Sequence, residues 1–515
     1  MNPEQRPQTR NLSLLERIAR WGNRLPTPAL LFFWLCVVMM VVSALAAALG
    51  AETQVPGQEH QVLVRSLLSA EGLRWILTHT VENFVSFAPV GTVLVAMLGL
   101  GVAEHSGLLR VLLERLVRGA PRVLMTWVVV FAGIVSNLAM DAGYVVLIPL
   151  AGVLFSVAGR PPLAGIAAAF AGVSAGYSAN LLLGPADAIL AGMSTEAANI
   201  VSPGYTVGIE SNYYFAAVSA VLLSLVGTLV TERWVVPYLA RTEGGEPEMH
   251  SGSGSDAAAS MAVADIRGLW AVTIWTLLFV VAVVLASVPE GAPLRDPANP
   301  DFLNSAAVRG VVVLIAFYAA VAGWLFGRFS GRYTRSAAVV EAMETTMATM
   351  AGYLVLMFFA AQFVNYFAWS NLGTLLAVTG ANWLEGLALP ESLLLLVFVF
   401  MAAFINLFVG SASAKWGLLA PVFVPMLFLL GISPEATQMA FRIGDSSTNI
   451  ITPLMPYFGV VVAFAQRYRP NLGLGTMMSM MLPYSVAFLI GWSLLMLFWL
   501  WLGWPLGPGA EVLLD

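Results

Sequence analysis

Apolar residues along the chain form long runs that short polar segments separate. A run of about 20 apolar residues is long enough for a helix to cross the hydrocarbon core of a bilayer. Nine runs have this character, at 28–50, 84–103, 163–189, 213–230, 269–288, 308–326, 346–368, 434–464 and 481–502. The pattern therefore predicts nine transmembrane helices.

Two further apolar stretches, 121–158 and 392–430, are too long for one span. Small and polar residues interrupt each near its centre, around Asp141 in the first and around Lys415 in the second. Irregular backbone at membrane depth persists only where protein or a water-filled cavity satisfies its polar groups. We therefore predict that both stretches are re-entrant helical hairpins, each entering and leaving by one face.

The two halves of the chain repeat one another. The matching segments are 136–149 with 411–421, and 178–185 with 447–453. Five span crossings separate the matching helices, so the halves point in opposite directions, as in many secondary transporters. The predicted fold is an all-α membrane protein with nine transmembrane helices and two re-entrant helical hairpins in an inverted repeat.

Composition excludes a soluble protein. Of the 515 residues, 59% are hydrophobic and 10% are charged, and the mean hydropathy is +0.83. Soluble domains contain roughly 25% charged residues. Arginines concentrate in alternate loops, which predicts a multi-pass protein of the bacterial inner membrane with its N-terminus in the cytoplasm and its C-terminus in the periplasm.

The spans and hairpins predict a division of the chain into six parts. These are a cytoplasmic tail (1–27), the first span with an outer loop (28–72), the first repeat (73–240), a linker with two connecting spans (241–335), the second repeat (336–505) and a periplasmic tail (506–515).

Charged residues inside the predicted membrane region are few and are therefore functional candidates. Lys415 is the only lysine of the chain and lies at the tip of the second hairpin. Arg442 and Asp445 are three residues apart on one helix face, so they can pair with each other. Asp187 follows a Gly-Pro step that must kink or break its helix. We predict that Asp445, with Asp187 as the second candidate, carries a coupling proton, although the Arg442–Asp445 pair could also be purely structural.

Hydroxyl and amide side chains near the interruptions could bind a sodium ion, which prefers oxygen ligands as other hard cations do. The candidates are Ser136, Asn137, Asp141 and Asn180 in the first half, and Ser411, Ser413 and Asn449 in the second. The same side chains could also cap half-helices, a role that is compatible with ion binding. No other cofactor is expected, because the four histidines lack the spacing of metal ligands.

At these positions the sequence resembles the p-aminobenzoyl-glutamate transporter (AbgT) family of the ion-transporter superfamily. The most specific stretches are 413–416 with the prolines and charges that follow, and 177–187. The resemblance implies a homodimer in membrane lipid that moves a small-molecule substrate, p-aminobenzoyl-glutamate or a sulfonamide-type antimetabolite, and no nucleic-acid partner. The family's functional positions correspond to Asp187, Ser413, Trp416, Pro434, Arg442, Asp445 and Pro453.

Such a substrate carries two carboxylates and an aromatic ring. Arg442 offers a bidentate fork, Lys415 a second positive charge and Trp416 an aromatic surface. We therefore expect substrate binding by Ser413, Lys415, Trp416, Pro434, Arg442 and Pro453.

Three alternatives remain open at this point. A sodium-coupled dicarboxylate symporter of the same superfamily would use similar residues. An intramembrane serine protease would place a nucleophile at Ser411 or Ser413, but no histidine follows His250 to act as its base. A passive channel could also contain an inverted repeat, but it could not accumulate substrate against a gradient.

Overall fold

The computed structural model describes residues 27–54, 61–119, 121, 123–139, 143–242, 263–289, 291–295, 305–452, 455 and 457–514. The predicted cytoplasmic tail 1–27 lies outside the described residues except for its last position, and so does the loop 243–262.

The described part of the chain is predominantly helical. Its first half contains α1 (Pro28–Ala48), α2 (Ala70–Val85), α3 (Ala88–His105), α4 (Leu108–Arg118), α5 (Met125–Val135), α6 (Ile148–Val157), α7 (Pro162–Phe170), α8 (Pro185–Ala198), α9 (Tyr213–Val230) and α10 (Val236–Thr242). Its second half contains α11 (Val263–Ser287), α12 (Ala306–Arg309), α13 (Val311–Phe329), α14 (Ala337–Thr349), α15 (Ala351–Trp369), α16 (Leu372–Gly386), α17 (Glu391–Asn406), α18 (Ala412–Phe428), α19 (Pro434–Thr448), α20 (Phe458–Gln466) and α21 (Leu474–Leu502).

Seven helical segments in the described residues are long and apolar enough to cross a membrane, and a bent pair, α16 with α17, raises the number to eight. These seven coincide with seven of the nine predicted spans. The other two predicted spans, 163–189 and 434–464, are broken. In the first, α7 continues as a π-helical turn, Ala171–Ala175, and ends before α8. In the second, α19 ends in a 3-10 turn before α20.

The two predicted hairpins also contain breaks near their centres. The first passes from α5 through a 3-10 turn, Ser136–Ala139, and a π-helical turn, Gly143–Leu147, into α6. The second breaks between α17 and α18, four residues before Lys415. Lys415 therefore belongs to the first turn of α18 and not to the irregular tip. Ser411 ends the break as the N-cap of α18, where its Oγ accepts a hydrogen bond from the backbone N–H of Ala414 at 3.3 Å.

The broken helices form the centre of the packing. α8 packs against α3 and α18, and α17 packs against α19. Every residue of α19 is buried, although this helix is among the most polar of the chain. Buried polar groups must be hydrogen-bonded or ion-paired to be tolerated. The side chains of α19 therefore identify the site.

A second packing unit joins α3 to α13 through small residues. A β-carbon added at Gly99 would overlap the backbone of Ala316, and one added at Gly323 would overlap the backbone of Ala103. Small residues allow helix backbones to approach closely in membrane proteins, where dispersion contacts favour association. These two helices consequently form a tightly packed pair beside α8.

Two elements differ from the sequence-based expectation. The loop after α1 contains a short antiparallel β-ribbon, β1 (Glu52–Gln54) paired with β2 (Gln61–Leu63), so the fold is not strictly all-α. The predicted periplasmic tail packs against the start of α19, because Ser433 N–H donates to Val512 O and Leu514 N–H donates to Gly431 O. Backbone pairing accounts for both, since polar N–H and C=O groups away from helices still need partners.

Candidate functional site

The N-terminus of α8 places a carboxylate at the centre of the protein. Pro185 occupies the first turn, where its missing N–H is not needed. Asp187, two residues later, accepts a hydrogen bond from Gly184 N–H through Oδ2 at 2.7 Å. A negative charge at this position also interacts favourably with the helix dipole. The break in the helix thus orients Asp187, whose side chain retains 13% exposure.

Arg442 of α19 is the partner of Asp187. Its Nη2 contacts Asp187 Oδ1, and its side chain is only 6% exposed. The Nε–H of the same guanidinium is buried without a hydrogen-bond partner in the described part of the chain. Arg442 therefore holds one carboxylate and keeps a further donor for another acceptor.

Asp445 is paired elsewhere. Its Oδ1 contacts the ammonium of Lys415 from α18, with side-chain exposures of 0% and 1%. Its Oδ2 accepts a hydrogen bond from the hydroxyl of Tyr177, which lies just after the π-helical turn of the first half. Asn406, at the end of α17, accepts from Lys415 through Oδ1. Lys415 and Tyr177 thus occupy the two oxygens of this carboxylate, and Asn406 contacts the lysine that pairs with it.

The predicted pair between Arg442 and Asp445 is wrong. The two residues share a helix face, as their spacing requires, but each side chain reaches a partner on a different helix, Asp187 for Arg442 and Lys415 for Asp445. Asp187 therefore has a basic partner on α19, which its spacing along the chain does not indicate. Pairing across helices compensates the charges of all four groups, whereas a pair within α19 would leave the charges of Asp187 and Lys415 without these partners.

Asn406 joins the ends of α17 and α19. Its amide nitrogen lies 2.8 Å from Thr448 Oγ1 and 3.0 Å from Asn449 Oδ1, and it also contacts Asp445 O. Asn449 in turn approaches the carbonyl of Ser174 in the π-helical turn, at 3.4 Å. Asn406 therefore links the end of α17 to α19, and Asn449 links α19 to the π-helical turn of the first half, in both cases through a side-chain amide and a backbone carbonyl.

Trp416 is completely buried. Its ring packs against Phe441 with centroids 4.6 Å apart, and its Nε1–H lies 3.0 Å from Ser194 Oγ and 3.2 Å from Leu190 O. Ser194 lies 2.6 Å from the amide oxygen of Gln438 on α19. The predicted aromatic surface is therefore held between α8, α18 and α19 and is not open to a cavity in this conformation.

A cavity of about 230 Å³ adjoins the Asp187–Arg442 pair. Its lining includes Asn137, Tyr177, Asn180 and Asp187. The cavity thus brings together Asn137 and Asn180, two predicted sodium ligands, and Asp187, the second candidate for the coupling proton. Asp445, Lys415 and Arg442 are not among the described residues that line it, so Asp187 and Tyr177 lie between the cavity and the buried charges.

The predicted sodium ligands of the first half make local backbone contacts. Ser136 Oγ donates to Gly133 O at 2.6 Å, and Asn137 Nδ2 donates to Ile134 O at 2.9 Å. Asn180 Oδ1 accepts from the N–H of Leu181 at 2.9 Å. Ser136 and Asn137 thus bond carbonyls of the last turn of α5, and Asn137 and Asn180 both line the cavity. Asp141 lies outside the described residues.

In the second half, the Oγ atoms of Ser411 and Ser413 lie 3.3 Å apart at the start of α18. Pro434 is the first residue of α19, and Pro453 lies outside the described residues. The residues that sequence reasoning missed are Tyr177, Ser194, Asn406 and Gln438. A polar side chain inside an apolar run was the available signal for Asn406.

Comparison with known proteins gives a consistent result. The family model described as "AbgT putative transporter family" matches residues 13–514. The p-aminobenzoyl-glutamate transport protein of Escherichia coli K12 is 37% identical over 492 residues, which cover 96% of this chain and 95% of that protein.

Two solved structures have the same fold. The YdaH transporter of Alcanivorax borkumensis is 51% identical, with a TM-score of 0.88 over 94% of this chain and 100% of that one. MtrF of Neisseria gonorrhoeae, which is described as illuminating a class of antimetabolite efflux pumps, is 45% identical, with a TM-score of 0.91 over 97% of this chain and 100% of that one. These relatives are transporters and not enzymes.

Proposed function

Because the chain belongs to the AbgT transporter family, we propose that it is a secondary active transporter of p-aminobenzoyl-glutamate or of related aromatic antimetabolites such as sulfonamides. The observation that carries this proposal is the buried Arg442, which holds Asp187 at the edge of a cavity and retains an unpartnered Nε–H. A guanidinium with a free donor is suited to bidentate recognition of a carboxylate.

Substrate carboxylate competes with Asp187 for Arg442. A cavity of about 230 Å³ is smaller than the roughly 300–1,000 Å³ of typical ligand pockets. Binding therefore requires the Asp187–Arg442 pair to separate, which enlarges the cavity toward α19. Trp416 lies on the next helix and becomes available to the substrate ring only if its contact with Ser194 also opens.

Charge balance supports coupling to a cation. Lys415, Arg442, Asp187 and Asp445 form two buried pairs with a net charge of zero. A substrate carboxylate that enters this cluster adds negative charge, which is costly in a low-dielectric interior unless a cation accompanies it. Protonation of Asp187 or Asp445 provides that positive charge. The alternative is a sodium ion bound by the side-chain amides of Asn137 and Asn180, which line the cavity. Asp445 is our first candidate for the proton, because its protonation frees the Lys415 ammonium to balance a substrate carboxylate; Asp187, which the substrate displaces from Arg442, is the second.

Titration calorimetry of the purified carrier tests the anchor. Arg442→Ala should abolish detectable binding of p-aminobenzoyl-glutamate. Arg442→Lys should also weaken binding at least tenfold relative to the native protein. The positive charge remains, but the bidentate geometry of the guanidinium is lost. Arg110→Lys is the matched control, since Arg110 is an exposed arginine on α4. Unchanged affinity in Arg442→Ala would falsify the anchor role.

The coupling ion is tested by the same titrations in buffers of different ionisation enthalpy. Proton coupling predicts that substrate binding takes up protons, so the observed heat depends on the buffer. Asp445→Asn should reduce that uptake, and Asp187→Asn should report the contribution of the second carboxylate. If the heat is independent of buffer but binding requires sodium, the sodium-coupled alternative is correct.

The dicarboxylate symporter is the second candidate, because Arg442 and Lys415 could hold two carboxylates without an aromatic ring. Succinate should compete poorly with p-aminobenzoyl-glutamate on our proposal and strongly on the alternative. Uptake into proteoliposomes against a substrate gradient would distinguish either carrier from a passive channel, because a channel cannot accumulate substrate.

We further propose that the protein is a homodimer in the bacterial inner membrane, with nine spans, a cytoplasmic N-terminus and the stretches 121–158 and 392–430 as re-entrant hairpins. Support for the two hairpins comes from the central breaks between α5 and α6 and between α17 and α18. Single cysteines placed at both ends of each stretch, after replacement of Cys36, should label from one side only. Labelling of the two ends from opposite sides would mean that the stretch crosses the membrane.

A further inference from the structure

Tyr177 connects the cavity with the buried carboxylate of Asp445. Tyr177 lines the cavity, and its hydroxyl donates a hydrogen bond to Asp445 Oδ2. Asp445 itself is fully buried and is not among the described residues that line the cavity. The hydroxyl of Tyr177 is thus the group that can connect water in the cavity with the Asp445 carboxylate by hydrogen bonds.

We infer that Tyr177 is a proton relay that loads and unloads Asp445 from the cavity. A hydroxyl both donates and accepts hydrogen bonds. The O–H proton of Tyr177 passes to Asp445 Oδ2 while the Tyr177 oxygen accepts a proton from a hydronium ion in the cavity. The tyrosine ends as it began, and Asp445 gains one proton. This inference rests on the proposed proton coupling and names the residue that carries it.

The other faces of Asp445 are occupied. Lys415 of α18 holds Oδ1, and Asn406 of α17 contacts the backbone carbonyl of Asp445. Arg442, on the same helix as Asp445, is paired with Asp187 of α8. A lysine ammonium and an arginine guanidinium repel an approaching proton, so neither pair offers a route. The described surroundings leave Oδ2, and therefore Tyr177, as the route for proton exchange.

The local backbone fixes the phenol in this position. Residues 171–175 form a π-helical turn, and Gly176 N–H closes it by donating to Ala171 O. π-helical turns insert one extra residue and commonly occur at functional sites. The helix ends after this turn, and Tyr177, the second residue beyond it, both lines the cavity and reaches Asp445 of α19.

Tyr177→Phe is the direct test, in proteoliposomes that contain the full chain. Net uptake of p-aminobenzoyl-glutamate driven by a pH gradient should fall at least tenfold. Exchange of labelled for unlabelled substrate at equal pH should stay within about threefold of the native rate, because a carrier that shuttles fully loaded need not release its proton. Tyr213→Phe is the matched control, since the Tyr213 hydroxyl donates to the backbone carbonyl of Leu181 at 3.2 Å.

Three results would overturn the relay. Undiminished pH-driven uptake in Tyr177→Phe would show that protons reach Asp445 without the phenol. Loss of exchange together with net uptake would assign a merely structural role to Tyr177. If the variant does not fold, a fluorotyrosine introduced at position 177 keeps the shape and hydroxyl but increases its acidity. An unaltered pH profile for net uptake would then count against the relay. Failure of the proposed function is distinguishable, because the native protein itself would show no pH-driven uptake.

Discussion

Removal of Lys415 should be one of the most destabilising single changes in this protein. Lys415→Met keeps the length of the side chain but leaves Asp445 as a buried negative charge without its ammonium partner. Both side chains are at most 1% exposed, so solvent cannot replace the lost partner. Breaking a buried pair from one side costs about 3–5 kcal/mol. That cost lowers the ratio of folded to unfolded protein by about 10²- to 10⁴-fold.

The double variant, Lys415→Met with Asp445→Asn, removes both charges and should recover most of the loss, because replacing a whole buried pair is often nearly neutral. Unfolding in detergent, followed by tryptophan fluorescence, gives the free energies for a double-mutant cycle. Glu114→Gln is the control, because it breaks only solvent-accessible ion pairs within α4, with Arg110 and Arg118, and should cost about 0.3–0.5 kcal/mol for each. The reasoning fails if Lys415→Met costs no more than this control, or if the double variant costs the sum of the two single changes.

Two further changes test the packing around the same site. Gly444→Ala should lower the free energy of unfolding by about 1–3 kcal/mol, because its β-carbon would overlap the carbonyl of Val399 on α17. Gly352→Ala is the control, because no atom lies within 4 Å of the added β-carbon, and it should raise the free energy of unfolding by up to about 1 kcal/mol. Equal shifts of the thermal unfolding temperature in the two variants would contradict the close contact at Gly444. Trp416→Phe should lower the free energy of unfolding by about 1–3 kcal/mol, because it removes the Nε1–H contacts with Ser194 and Leu190 and leaves a void at a buried site, while calorimetric affinity for p-aminobenzoyl-glutamate stays within threefold because an aromatic ring is kept. A larger loss of affinity would mean that the indole N–H itself binds the substrate.

Much of the architecture could be predicted from the sequence. Length and apolarity alone predict seven of the spans, because a bilayer fixes how many residues a helix needs. The breaks before α8 and after α19 could also be expected, since Pro185 and the polar stretch near Asn449 disfavour a continuous helix.

The charge pairing could not be predicted in the same way. Spacing along one helix places Arg442 and Asp445 on the same face, but it does not say which neighbouring helix each side chain meets. The partners, Asp187 and Lys415, lie on helices whose packing against α19 depends on the whole fold. Tyr177 lies in the family-like stretch 177–187, but the sequence does not show that its hydroxyl meets Asp445, because that contact depends on how the π-helical turn packs against α19.

The burial of Lys415 has a chemical consequence. Lys415 carries the only side-chain amine of the chain, and in this conformation it is almost completely shielded. An acylating reagent specific for neutral amines can modify it only when the ammonium leaves Asp445, loses its proton and meets water. The native sequence therefore contains its own single-site reporter, and the rate of acylation at position 415, read by mass spectrometry, measures how often the centre of the protein opens.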